Sequence, residues 1–148
     1  MTRAIWREDN FNLEKLNLHT QNSAVSHLGI CITGRGPTSL TATMPVDKRT
    51  IQPYGILHGG VSCVLAETLG SYAANMAIKE NEKNLIAVGQ SINANHIRPA
   101  SSGVVTGIAT PLHIGQSTHV WEIKIFNQKE KLVCITRLTL AIISKTNL

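Results

Sequence analysis

Between Val61 and Lys79 the sequence predicts one long helix with almost no wettable face. Val61, Leu65, Leu69, Tyr72 and Met76 recur at spacings of three and four, the pattern that buries one side of a helix. A second stripe, Cys63, Glu67, Gly70, Ser71 and Ala74, is small and uncharged apart from one carboxylate. A helix without a solvated face must be covered all round. The second stripe is therefore expected to meet another subunit or a ligand. Only the exit, Lys79-Glu-Asn-Glu-Lys-Asn84, is polar.

The flanking sequence predicts what covers it. Downstream, Leu85 to Ile97, Gly103 to Pro111, Ser117 to Asn127 and Leu132 to Ile143 read as strands, the last two joined as a hairpin by the polar turn Asn127-Gln-Lys-Glu-Lys131. Gly89, Gly103 and Gly107 mark bends or close backbone approach within them. Upstream, Asn12 to Ser26 reads as a short amphipathic helix and Leu28 to Gly36 as a first strand. Thr38 to Met44 alternates, with Leu40, Ala42 and Met44 on one face, and Pro45 closes it. A polar loop, Asp47 to Pro53, then leads into the glycine-rich segment before the long helix. The expectation is α+β: one domain, residues 1–148, in which a curved antiparallel sheet wraps one long central helix.

Several function classes fall away. The formal charge of +5 comes from scattered lysines and arginines, and aromatics are 4%, so neither a basic helix nor a stacking platform for nucleic acid is present. A phosphorylated small ligand is a better match to a few basic side chains. No apolar run is long enough to span a bilayer, and Met1-Thr-Arg-Ala-Ile-Trp-Arg-Glu-Asp9 lacks a signal-peptide core, so a cytoplasmic protein is expected. Cys31, Cys63 and Cys134 are odd in number and form no CxxC pair, which predicts free thiols in a reducing compartment. His58, His96, His113 and His119 are dispersed, with no HExxH, so no metal site is expected. There is no P-loop, dinucleotide fingerprint or GxSxG elbow.

The chemistry concentrates in Gln52-Pro-Tyr-Gly-Ile-Leu-His-Gly-Gly-Val-Ser-Cys-Val-Leu-Ala-Glu67. His58, Gly59 and Gly60 fall at the helix start, where N–H groups lack intrahelical acceptors and the dipole favours negative charge. A carbonyl oxygen placed there would be polarised as in an oxyanion site. Glu67 and Ser71 are four residues apart and share a face. Glu67 can serve as nucleophile or as general base toward water, the latter strengthened by partial burial. The bland reading makes Gly59-Gly60 a tight junction and Glu67 part of a structural network. Gln52 is an amide donor on the preceding loop. His96-Ile-Arg98-Pro-Ala-Ser-Ser-Gly103 ends a strand with an imidazole and a guanidinium, a cluster suited to phosphate or pantetheine, or else an ordinary turn.

These residues resemble a known family. Gln52-Pro-Tyr-Gly-Ile-Leu-His-Gly-Gly60, with Glu67-Thr-Leu-Gly-Ser71, is similar to the active-site segment of hotdog-fold acyl-CoA thioesterases. The likeness is to the branch of the Arthrobacter-type 4-hydroxybenzoyl-CoA thioesterase and the PaaI-like thioesterases of menaquinone and enterobactin synthesis. Ala42-Thr-Met-Pro-Val-Asp47, Ile92-Asn-Ala-Asn-His-Ile-Arg98, Pro111-Leu-His-Ile-Gly115 and Val120-Trp-Glu-Ile123 extend it from about Leu13 to Ile143. Tyr54 stands where close relatives often carry Phe, and Ser71 where some use Thr.

The resemblance implies a dimer, commonly a dimer of dimers, with active sites at the subunit interface. It implies Glu67 as catalytic carboxylate facing the partner's Gly59, whose amide polarises the thioester carbonyl with help from Gln52. It further implies that His58 orients the substrate or thiolate, that Ser71 positions Glu67 or water, and that Tyr54, Leu57, His96 and Arg98 contact the substrate. Coenzyme A is then part of the substrate and no cofactor is needed. The expected reaction is hydrolysis of an aromatic acyl-CoA, 1,4-dihydroxy-2-naphthoyl-CoA or a hydroxybenzoyl analogue. The alternatives are release of aryl groups from an acyl carrier protein, broad aliphatic acyl-CoA hydrolysis, hydratase chemistry, or acyl-CoA binding without turnover.

Overall fold

The computed structural model describes residues 3–7 and 11–148; residues 1–2 and 8–10 lie outside the described residues. Two short helices, α1 (Leu13–His19) and α2 (Ala24–His27), precede strands β1 (Cys31–Arg35) and β2 (Leu40–Pro45). The long helix α3 (Gly59–Ala77) follows, and then β3 (Leu85–His96), β4 (Val104–Ile114), β5 (Thr118–Phe126) and β6 (Leu132–Ser144). The strands form one antiparallel sheet in the order β1-β2-β4-β5-β6-β3. This is the α+β arrangement the sequence predicts, with the sheet curved around α3.

The alternation explains the packing. Leu40, Ala42 and Met44 of β2, Val105 and Ala109 of β4, Trp121, Ile123 and Ile125 of β5, and Leu138 and Leu140 of β6 are all fully buried on the face toward α3. The helix answers with Ser62, Leu65, Ala66, Leu69, Gly70, Ala73, Ala74 and Ala77. Gly70 and Ala74 thus belong to the sheet-facing side, which corrects their assignment to the uncovered stripe. The reason is proximity: a β-carbon at Gly70 would lie 2.6 Å from Leu138 Cδ2 and 3.2 Å from Ile123 Cδ1. Small residues let the sheet approach the helix backbone closely.

The region 12–26 is two helices rather than one. Asn12 caps α1 by accepting from Lys15 N–H at 2.8 Å, and Asn22 takes a left-handed φ of 59° between Thr20 and the Ser23–Ser26 capping box of α2. Gly29, at φ 71°, then turns the chain so that β1 starts at Cys31, three residues later than expected. The long helix begins at Gly59 and ends at Ala77, two residues earlier at each end than its apolar pattern, because His58 caps it and Ile78 is extended.

Both sheet edges are partly closed by an asparagine. Asn17 of α1 donates to Ile32 O and accepts from Ile32 N–H, each at 2.9 Å, at β1. Asn75 of α3 donates to Ala87 O at 3.0 Å and accepts from Ala87 N–H at 2.9 Å, at β3. Each carboxamide stands in for the next strand over one residue. Beyond Ala87 the edge is open, with Gln90, Ser91, Asn93 and Asn95 exposed.

Candidate active site

The segment before α3 is a small, tightly bonded loop. Ile51 and Leu57 form a bridge, Gln52 N–H donates to Ile56 O at 2.8 Å, and Gly55 at φ 79° completes the turn between them. The Gln52 side-chain oxygen accepts from Tyr54 N–H, and its amide NH₂ has no acceptor among the described residues. Leu57 N–H donates to Ala100 O at 2.7 Å and His58 N–H to Thr50 O at 2.9 Å, which fixes the start of the helix.

His58 is the N-cap. Its Nδ1 accepts from Gly60 N–H at 2.9 Å, which assigns the imidazole proton to Nε2. The Gly59 N–H finds no acceptor among the described residues. His96, from the end of β3, lies flat against Gly59; a β-carbon there would be 2.8 Å from His96 Nε2. A cavity of about 410 Å³ opens at this point, lined by Gln52, Leu57, Gly59, Ser62, His96 and Arg98 among others. The Arg98 guanidinium is tied back to Leu132 O at 2.7 Å. Leu57 is a buried wall of this cavity, whereas Tyr54 is 91% exposed at the turn tip and outside it.

Glu67 lies elsewhere. It is eight residues along the helix from Gly59, about 12 Å in rise and about 80° around the axis. The carboxylate rests over Gly89 of β3, where any β-carbon would collide with Oε1. It is exposed rather than half-buried, because the sheet ends at β3. Among the described residues it has no hydrogen-bond partner. Its neighbours on the stripe are Cys63 and Ser71, one turn either side. Burial and the Glu67 charge push the Cys63 thiol up, and burial holds the Cys134 thiol up at about 11. All three cysteines are free.

One chain therefore gathers Gln52, Leu57, Gly59, His96 and Arg98 in one place and Glu67 and Ser71 in another. Two features were missed in the sequence. Gly89 was read as a bend or close approach, and its partner is the one carboxylate on the helix. Asn75, eight residues after Glu67 and four after Ser71, was not singled out, although a polar side chain on so apolar a helix is a visible signal.

The fold and this segment decide the lineage. Residues 54–134 match the family model described as Thioesterase superfamily. The chain belongs to that superfamily. It is 46% identical over 139 residues to the 1,4-dihydroxy-2-naphthoyl-CoA hydrolase of Escherichia coli, covering 94% of this chain and 99% of that protein. The crystal structure of a thioesterase from Haemophilus influenzae matches with a TM-score of 0.89 at 51% identity, covering 95% of each chain. A mutant thioesterase from Pseudomonas aeruginosa matches with a TM-score of 0.91 at 44% identity, over 95% of this chain and 99% of that one. The protein is thus a hotdog-fold thioesterase, an enzyme that hydrolyses acyl-CoA thioesters. No helix among its described residues is long and apolar enough to cross a membrane.

Proposed function

We propose that this thioesterase hydrolyses an aromatic acyl-CoA, of the 1,4-dihydroxy-2-naphthoyl or hydroxybenzoyl kind, to the carboxylic acid and free coenzyme A. The chain would act as one thioesterase domain in the cytoplasm, in the menaquinone branch of metabolism. The observation that carries the reading is the unpartnered Glu67 carboxylate held at an open sheet edge, about 12 Å along the helix from an equally unpartnered Gly59 amide. A hydrolytic centre needs both groups within hydrogen-bond reach of one carbonyl and its attacking water. A second copy, paired along the open edge of β3, supplies the missing half of each site. The homodimer would pair again into a dimer of dimers, for which exposed Leu112 and Ile114 at the end of β4 offer apolar surface.

In that composite site the thioester oxygen accepts from Gly59 N–H, with the free amide donors of Gln52 beside it. Glu67 of the other copy takes a proton from water, whose oxygen adds to the carbonyl, or adds to the carbonyl itself and is released by water. Collapse of the tetrahedral intermediate breaks the C–S bond, and the thiolate leaves past His58 and His96. Ser71, one turn from Glu67, positions the carboxylate or the water. Arg98 stands at the cavity rim for the coenzyme A portion.

The aromatic preference rests on the 46% identical hydrolase of Escherichia coli. Thiol release from 1-hydroxy-2-naphthoyl-CoA, compared with octanoyl-CoA, tests it. The expected kcat/KM for the aryl substrate is about 10⁴ M⁻¹s⁻¹ or more, well above the aliphatic one. Equal or reversed rates would remove the aryl assignment, and faster turnover of an aryl group presented on an acyl carrier protein would move the substrate there.

A further inference from the structure

Helix α3 is tied to strand β3 through a single side chain. Asn75 donates to Ala87 O at 3.0 Å and accepts from Ala87 N–H at 2.9 Å, so it holds both backbone groups of that residue. The same NH₂ donates to Ser71 O at 2.9 Å, one turn back along the helix. Both amide protons and the amide oxygen are therefore engaged, which fixes the orientation of the carboxamide. Among the described residues no other hydrogen bond joins α3 to β3.

Two residues along the strand from this pin lies Gly89, the floor under the Glu67 carboxylate. Just beyond it the ladder to β6 is interrupted. Gly89 pairs with Leu140 and Ser91 with Thr139, which leaves Gln90 as the extra residue of a β-bulge. A bulge bends its strand and disrupts the ladder locally. On its other side β3 has no neighbouring strand. The nearest point of β3 bonded to the helix is thus Ala87, about 7 Å from Gly89 along extended chain.

We propose that Asn75 is a positioning residue for the reaction: by pinning Ala87 to α3, it holds Gly89 at the height on which the Glu67 carboxylate rests. The proposal rests on Glu67 being the catalytic carboxylate, as proposed above. Asn75 acts through the strand, not on the reacting atoms. Glu67 makes no hydrogen bond among the described residues, so its carboxylate is located by its contact with Gly89. A reacting group displaced by about 1 Å loses on the order of a hundredfold in rate.

The opposite edge of the sheet supplies an internal control. Asn17 closes β1 in the same way, donating to Ile32 O and accepting from Ile32 N–H, each at 2.9 Å. The two asparagines share one structural task, and only Asn75 performs it beside the Glu67 seat.

The experiment measures kcat and KM by thiol release, using whichever of 1-hydroxy-2-naphthoyl-CoA and octanoyl-CoA the wild type hydrolyses faster. The variants are Asn75→Ala, Asn75→Asp, Asn17→Ala, Gly89→Ala, Asn75→Ala/Gly89→Ala and Glu67→Ala, each assayed well below its own melting temperature. Asn75→Ala is expected to lower kcat about tenfold or more with KM within about twofold of wild type. Asn75→Asp keeps the acceptor for Ala87 N–H and should recover part of that loss. Asn17→Ala should shift the urea midpoint to a similar extent yet keep kcat within about twofold of wild type. The double variant should be about as slow as its slower parent, because both changes move one contact.

A wild-type kcat in Asn75→Ala overturns the proposal. So does an equal kcat loss in Asn17→Ala, which would trace the effect to general loosening of the sheet, and so do losses that multiply in the double variant. If Asn75→Ala does not stay folded, Asn75→Asp decides by the same comparison with wild type and Asn17→Ala. Full activity in Glu67→Ala defeats the catalytic reading itself, whereas inactive Glu67→Ala with a wild-type kcat in Asn75→Ala defeats only this inference.

Discussion

The Glu67 carboxylate sits on the bare α-carbon of Gly89, and the strand leaves room for it only because that residue has no side chain. Gly89 carries no left-handed φ, so alanine fits its backbone. The added methyl would displace the far end of an exposed, flexible side chain, which is cheap for folding and costly if that carboxylate is the catalytic base proposed above. Gly89→Ala is expected to leave the thermal midpoint within a few degrees of wild type while lowering kcat about ten- to a hundredfold, less than the roughly 10²–10⁴-fold loss expected for Glu67→Ala. Thiol-release kinetics and a melting curve on the two variants check this. Wild-type turnover by Gly89→Ala would mean that the carboxylate works from another position.

At the helix start the corresponding neighbours are Gly59 and His96. A methyl at Gly59 would lie 2.8 Å from His96 Nε2 and 3.1 Å from Cε1. Gly59→Ala should therefore move the imidazole or the loop and misplace the amide, with a loss of about 10²–10³-fold in kcat if that amide holds the developing oxyanion. His96→Ala removes the obstruction. The double variant Gly59→Ala/His96→Ala should then be faster than Gly59→Ala alone. Additive losses in the cycle would place the two residues in independent roles.

Much of this is legible in the sequence. Leu40, Ala42 and Met44 declared the inner face of β2 by simple alternation, and the hairpin turn at Asn127 to Lys131 was visible from its polarity. Binary pattern carries such elements because burial alternates with the pleat. The break at Asn22 was missed because Leu13, Leu16 and Val25 suit a continuous helix, and only the local Thr20–Ser26 hydrogen bonds stop it. Gly70 and Ala74 were put on the wrong side of α3 because periodicity counts large apolar residues, whereas this sheet packs against small ones. The pairs Glu67–Gly89, Gly59–His96 and Asn75–Ala87 join residues distant in sequence, and no spacing rule within one element could announce them.

Asn75 provides a stability prediction. Its carboxamide satisfies both backbone groups of Ala87, and Asn75→Ala would leave an N–H and a C=O unpaired at a partly covered edge. The expected loss is about 1–3 kcal/mol, or roughly 2–4 °C in melting temperature per kcal/mol for a domain of this size. Urea unfolding at neutral pH measures it. Asn75→Asp, which keeps an acceptor but loses the donor, should fall between wild type and Asn75→Ala.

His119 sets an acid limit. It is 2% exposed, and its Nδ1 has no hydrogen-bond partner among the described residues. Burial lowers its pKa below the ordinary 6.5 and His113 lowers it further, against smaller upward contributions from Glu82 and the Gly115 backbone. Between the lowered folded value and 6.5 the unfolded chain binds a proton that the folded chain refuses, so stability rises with pH across that window. Stability should hold above pH 7 and decline as the pH drops below about 6.5. Urea midpoints at pH 5.5 and 7.5 would show the decline in the wild type and a smaller one in His119→Asn. Identical differences in both proteins would assign the acid loss to other groups.

The separation of Glu67 from Gly59 makes the strongest test of a site shared between copies. In a homodimer of Glu67→Ala every site lacks its carboxylate, and in a homodimer of Gly59→Ala every site has a displaced amide. A mixed dimer is different when the two groups come from different chains. One of its sites then carries both defects and the other carries neither. Co-expression with two different affinity tags, followed by sequential capture, isolates that mixed dimer. It should recover about half of the wild-type kcat per dimer, with KM unchanged, because one of two sites is intact. If Glu67 and Gly59 of the same chain served one thioester, each site of the mixed dimer would carry one defect and activity would stay at the level of the parents. Light scattering on the same sample supplies the assembly size, and dilution to the point of dissociation should abolish the recovered activity.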